Sequence, residues 1–148
     1  MSGLKSKNKG KRGEREIVNV LKPILEEVVA KFQDEGYECG DMKLFRNQNQ
    51  SFEGGYDIGG LDWLAIEVKF QEQLNVNGWW KQTKAQTGPG QEPVLFYRRS
   101  RMKWKVMTEL RILCGKVVVR SPVEMQLEDY LVYFKSRLEE ELRKRDFE

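Results

Sequence analysis

The stretch Gly54 to Phe70, GGYDIGGLDWLAIEVKF, most narrows what this chain can become. An extended backbone sends successive side chains to opposite faces. From Asp62 onward, Leu64, Ile66, Val68 and Phe70 then share one side and Trp63, Ala65, Glu67 and Lys69 the other. The first set is plain core. The second puts a carboxylate and an ammonium among apolar neighbours, where desolvation is costly unless the charges find partners or a metal ion. Tyr56 to Ile58 leads into Gly59 and Gly60, residues suited to a turn, so the stretch is expected to be a β-hairpin whose long second strand is buried.

The surroundings of this hairpin read in order. Ile17, Val20, Leu21, Ile24, Leu25, Val28 and Phe32 recur at helical spacing, which predicts a helix over Gly13 to Phe32. Pro23 removes the donor to Asn19 and is expected to kink or split that helix. At 100° per residue Glu14 falls roughly 40° from the centre of the apolar face and Glu16 roughly 120° away, so Glu14 points inward. A first-turn glutamate favoured by the helix dipole is the competing explanation. Asp34 to Asp41 reads as a loop and Met42 to Asn47 as a short strand ending in Arg46. Asn47 to Gly55 suits either a flexible loop approaching a phosphate backbone or an exposed connector.

Beyond the hairpin, Trp79 to Thr87 predicts a short helix carrying Gln82, followed by the breaker run GPGQEP. Val94 to Tyr97 is a compact strand with Trp104 to Met107 as its hairpin partner; Leu110 to Gly115 fits no single element, and Lys116 to Arg120 is a short final strand. Leu127, Tyr130, Leu131, Phe134, Leu138 and Leu142 mark a long amphipathic helix from Val123 to Lys144, packed on its own domain or against a second copy. Residues 1–12 then read as a basic, flexible tail, 13–121 as the core and 122–148 as the C-terminal helix.

A chain of 148 residues fits one domain. It contains no histidine, which excludes Ser-His-Asp triads, Cys-His dyads and histidine-ligated zinc. Metal chemistry would have to use oxygen ligands, pointing to magnesium or manganese. The net charge is only +3, but Lys5, Lys7, Lys9, Lys11 and Arg12 form one cluster and Arg98, Arg99, Arg101, Lys103 and Lys105 another. Such patches suit a polyanionic partner, or serve simply as solvated surface. Cys39 and Cys114 lack metal-ligand spacing and are expected to be reduced thiols. No apolar run follows the basic start, and none is long enough to span a bilayer, so no membrane partner and a cytoplasmic location are expected.

Asp57, ten positions before Glu67 across a glycine turn, can meet Glu67 and Lys69 in space. Two carboxylates supply hard oxygen ligands, and a nearby ammonium can orient water and offset charge on a phosphoryl oxygen. Glu14 can complete the set, and Asp62 at the turn is the alternative to Asp57. The simpler explanation is a Glu67–Lys69 ion pair on an exposed strand.

RGEREI at Arg12 to Ile17, Asp57 and then Glu67-Val68-Lys69 together resemble the PD-(D/E)xK nuclease superfamily, with Tyr56 in the place of its proline. The match is similar to archaeal-type Holliday junction resolvases and to resolvase-like proteins of bacteriophages. It continues through RNQNQSFEGGYDI, IEVKFQEQL, WWKQ and PVLFYRRSRMKWKV, roughly Lys11 to Met107. The resemblance implies an α/β domain with a mixed, restriction-endonuclease-like sheet flanked by helices, and a homodimer that cuts branched DNA with Mg2+ or Mn2+ and no small-molecule cofactor. Restriction-like duplex cutting, flap cleavage and a non-catalytic DNA-binding module are the alternatives. By position, Glu14, Asp57, Glu67 and the main-chain carbonyl of Val68 become metal ligands, Lys69 the catalytic lysine and Gln82 an active-site neighbour. Lys9, Lys11, Arg12, Arg46, Gln48, Arg98, Arg99 and Arg101 become DNA contacts. Trp79, Trp80 and Trp104 offer rings to unpaired bases, although core packing is the expectation.

Overall fold

The computed structural model describes residues 2–47 and 56–145. Within them the elements are α1 (Ser2–Asp34), β1 (Phe45–Arg46), β2 (Ile58–Gly59), β3 (Leu64–Phe70), α2 (Val76–Gln86), β4 (Glu92–Arg98), β5 (Lys105–Cys114), β6 (Val117–Gln126) and α3 (Leu127–Arg145). The strands form one six-stranded sheet in sequence order. Every neighbouring pair is antiparallel except β3 and β4, which run parallel because α2 carries the chain back between them. The fold is thus a single α/β domain with a mixed sheet.

Ile17, Leu21, Leu25, Val28 and Phe32 of α1 and Tyr130, Phe134, Leu138 and Leu142 of α3 are buried in one core with Ile66, Val68, Val94, Phe96 and Val106. The opposite face is covered more sparsely: Trp79 of α2 packs with Leu95 and Tyr97. β3 is therefore covered on both sides, and Ala65 and Glu67 are as buried as Leu64 and Ile66. Arg137, buried on α3, ties that helix to the sheet through Glu92 at 2.9 Å and to Glu141 at 2.9 Å.

Several sequence expectations are corrected. Residues 2–12 are not a separate tail but the first turns of α1, which begins at Ser2. Lysine and arginine are good helix formers, and the segment is anchored where Lys9 and Arg12 lie 5.6 and 5.5 Å from the Phe70 ring. Pro23 does not split the helix. It and Asn19 are both exposed, on the solvent side of the helix, where a lost backbone donor costs least. The strand expected over Met42 to Asn47 shrinks to Phe45–Arg46. The strand pair begun at Trp104 continues to Cys114, and its partner runs from Val117 to Gln126, so the C-terminal helix starts at Leu127 rather than near Pro122. Pro122 fits because β6 is the edge of the sheet.

Two glycines fix the hairpin against its neighbours. Gly60, at φ +118°, closes the turn after β2, and a Cβ there would run into the Lys43 carbonyl oxygen. Gly13 lets α1 lie directly on β3: a Cβ would stand 3.0 Å from Phe70 Cβ and 3.3 Å from Val68 Cγ1. That approach sets Glu14 beside the hairpin. Among the described residues no helix is long and apolar enough to cross a membrane.

A candidate acid and lysine site at the hairpin

Asp57 stands at the point where the chain enters β2. Its N–H donates to the Ile66 carbonyl at 2.8 Å, and its own carbonyl accepts from the Asn47 N–H at 2.8 Å. β2 is too short to pair with all of β3, which leaves the Val68 N–H without a strand partner on that side. Asp57 Oδ2 accepts it at 2.7 Å. By the alternation of a strand, the Val68 carbonyl points to the same edge.

Glu67 lies on the α2 side of β3, with its side chain only 4% exposed, and Lys69 Nζ is 3.5 Å from its Oε1. The Glu67 and Asp57 carboxyls are within hydrogen-bonding reach of each other. Burial, reinforced by the Asp57 charge and against the pull of Lys69, pushes the Glu67 carboxyl up to about 8. The two buried carboxyls repel when both are charged, and Lys69 offsets part of that repulsion.

Glu14 projects from α1 toward the same end of the hairpin, where Arg46 Nε donates to its Oε2 at 2.8 Å. Burial lifts the Glu14 carboxyl above the ordinary glutamate value and Asp57 adds to the rise, while Arg46 works against it. Glu14 and Arg46 open onto a cleft of about 620 Å³ lined also by Lys7, Lys11, Arg15 and Asn47. Asn47 is buried and its Nδ2 donates to the Tyr56 carbonyl at 3.0 Å, which ties β1 to the residue before Asp57.

Asp57, Glu67 and Lys69 are brought together, with Glu14 and Arg46 at the rim. Among the described residues no group of three or more acidic or cysteine side chains is set to hold a metal ion. The three carboxylates expected to hold a metal are not gathered into one such group: Asp57 and Glu67 lie close together, and Glu14 at the rim is bonded by Arg46. Asp62 takes no part: its side chain is exposed and lies 3.7 Å from Arg145. Gln82 is half-buried on α2, which packs on β3 and β4.

The expected DNA contacts separate into two kinds. Arg98 is corrected: its guanidinium bonds Glu16 at 3.0 Å and lies 4.1 Å from the Phe70 ring, so it is spent on joining α1 to β4. Trp104 belongs to that joint, its Nε1 donating to Glu16 at 3.0 Å, and Trp79 is buried; both rings are packing groups. Lys9 pairs with Glu72, and Arg12 with Glu16 at 3.2 Å. Lys11 and Arg46 face the cleft, and Arg99 and Arg101 are exposed at the β4–β5 turn. Gln48, with most of the loop Asn47 to Gly55, lies outside the described residues. Sequence reasoning misses Lys7, Arg15 and Asn47 as cleft residues and Glu16 as the hub of the α1 joint. A helical signal for the first two existed: Lys7, Lys11, Glu14 and Arg15 fall on one helix face.

No family model matches this chain, no curated protein does, and no solved structure does.

Proposed function

We propose that this protein is a metal-dependent DNA endonuclease of the PD-(D/E)xK type, with a restriction-endonuclease-like fold, acting as a homodimer on branched DNA such as four-way junctions. The observation that carries this reading is the meeting of Asp57, Glu67 and Lys69 at one buried strand end beside a cleft lined by Lys7, Lys11, Arg15 and Arg46. A buried acid pair next to a cationic groove is costly to fold and suits chemistry on a phosphodiester.

The donor set fits a small hard cation. Asp57, Glu67 and the Val68 carbonyl would hold magnesium or manganese, which commonly bind through one or two carboxylates and keep several waters. When bound, such an ion lowers the pKa of a water and offsets charge on a phosphoryl oxygen. Lys69 holds its ammonium against Glu67, where it orients a water and stabilises negative charge developing on the phosphate. Glu14 keeps Arg46 directed into the cleft. Lys7, Lys11 and Arg15 hold flanking phosphates, giving salt-sensitive affinity without base readout. The products expected are strands with 5′-phosphates.

The test incubates the protein with a labelled four-way junction and a matched linear duplex, with magnesium or with chelator, alongside Glu67→Gln. Metal-dependent cutting of the junction that is lost in Glu67→Gln is the expected result. Equal cutting of both substrates would remove the junction selectivity, and no metal-dependent cutting of either would remove the nuclease.

A further inference from the structure

β5 and β6 outrun the rest of the sheet. The β4 register with β5 stops at Val94↔Thr108, whereas β5 and β6 stay paired to Cys114↔Val117 across the turn Gly115–Lys116. Residues 110–114 and 117–121 therefore form a two-stranded arm beyond β4. Isolated two-stranded ribbons are marginal in water. This one exposes apolar side chains on both faces: Leu113 and Val118 are 72% and 55% exposed on the side that also carries Arg111 and Arg120, and Val117 and Val119 are 62% and 44% exposed on the other.

The free edge of the arm is guarded selectively. Cys114↔Val117 closes the two-residue turn as a hydrogen-bonded pair, so by alternation Val119 and Ser121 bond to β5 while Val118, Arg120 and Pro122 turn their backbone groups outward. At Pro122 the outward N–H is missing, which blocks strand addition along the base of β6. Val117 to Ser121, which includes the three exposed valines, is left open.

We propose that this open edge pairs with the same edge of a second copy of the chain, antiparallel about a two-fold axis centred on Val119. In that register the outward groups of Val118 in one copy meet those of Arg120 in the other, Val119 faces Val119, and Pro122 lies past the end of the pairing. One contact satisfies the same edge in both copies and leaves none open, the closed solution that two-fold symmetry favours. The register also sets each Arg120 opposite a valine rather than opposite the other Arg120. A nucleic acid would neutralise Arg111, Lys116 and Arg120 but would leave the strand edge and the apolar faces unmet. The pairing rests on the two-copy part of the proposed function and is measured without DNA: an arm-paired dimer that cuts nothing sinks the nuclease and leaves the arm, and a dimeric nuclease whose dimer does not depend on the β6 edge sinks the arm and leaves the nuclease.

The test starts from the full chain by sedimentation and light scattering. A dimer is expected, and a strict monomer at high micromolar concentration overturns the proposal. Val118→Pro repeats on the exposed edge the block already present at Pro122. It removes one outward donor from each copy, which predicts self-association weakened about a hundredfold, about tenfold for each lost hydrogen bond. A variant that dimerises as tightly as the parent overturns the edge. Cross-linking serves if Val118→Pro does not fold. Facing non-hydrogen-bonded residues stand about 4.5 Å apart, within disulfide reach. In a Cys114→Ser background, Val119→Cys should form a covalent dimer on mild oxidation and Val117→Cys should not. Equal cross-linking of the two, or of neither, overturns the register. Loss of DNA binding by arm variants that remain dimeric would assign the arm to nucleic acid instead.

Discussion

The Asp57 carboxylate accepts the Val68 N–H at 2.7 Å across the gap left by a two-residue strand. One side chain thereby has two duties. It completes the β3 ladder that the chain itself does not complete, and it faces Glu67 from the next strand. On the proposed function, removing it is expected to disturb folding and chemistry together, so the two effects need separate variants.

Asp57→Asn keeps an oxygen for the Val68 N–H and removes the charge. It is expected to melt close to the parent protein while losing metal-dependent DNA cutting. Asp57→Ala leaves a buried donor unmet and is expected to cost about 1–3 kcal/mol in urea unfolding as well. If Asp57→Asn cuts DNA at the parental rate, Asp57 is a structural carboxylate only.

Arg137 gives a purely structural prediction. It is buried on α3 and bonds Glu92, Glu140 and Glu141. Arg137→Ala removes the closest partner of Glu92, leaving it Arg111 at 3.4 Å, and is expected to lower stability by about 1–3 kcal/mol. Replacing Arg137 and Glu92 together with leucine should recover most of that loss, as read from urea midpoints. A double variant no better than Arg137→Ala would show that packing, rather than the weakened pairing of Glu92, sets the cost.

The elements whose pattern is local were legible in the sequence, and those set by pairing at a distance were not. LAIEVKF could be read as a buried strand, and the α3 stripe from Leu127 to Leu142 as a helix, since each carries its own period. The sequence shows only Lys116 to Arg120 as a strand; the rest of β6 passes through Pro122, which is harmless only because β6 is the sheet edge. Arg98 looked like a free cation because Glu16, 82 positions away, carries no sequence sign of being its partner. At the site, the Asp57, Glu67 and Lys69 pattern was visible by spacing. The Arg46 contact that engages Glu14 required β1 to be placed against α1.

The raised Glu67 carboxyl predicts an unusual stability profile. Unfolded, the group titrates near its ordinary 4.5; folded, near 8. Between those values the folded chain holds a proton the unfolded chain has released, so stability falls as pH rises, by at most about 1.4 kcal/mol per pH unit for one proton. Below 4.5 the penalty is absent, and above 8 it is constant. Chelated protein should therefore melt lower at pH 8 than at pH 5.5, and Glu67→Gln should flatten that difference. Magnesium added at pH 8 should raise the melting temperature of the parent more than that of Glu67→Gln. A parent profile that rises between pH 5.5 and 8 would contradict the assignment.

Two sets of cations should respond oppositely to substitution. Lys11 and Arg15 line the cleft beside Glu14, and both are exposed. Lys11→Ala and Arg15→Ala should leave melting within about 0.5 kcal/mol, as for ordinary surface changes. Each should weaken DNA binding uniformly across sequences and shrink the slope of affinity against salt by about one phosphate contact. Arg98 is bonded to Glu16 and stacked on Phe70, so Arg98→Ala leaves Glu16 with Arg12 and Trp104 alone and loosens α1 from β4. It should lower stability by about 1–3 kcal/mol with the salt slope unchanged. Fluorescence anisotropy with one labelled junction over a salt series, beside thermal melts of the three variants, separates the sets. A salt slope reduced by Arg98→Ala but not by Lys11→Ala would place the DNA on the Arg98 face of α1 and away from the cleft.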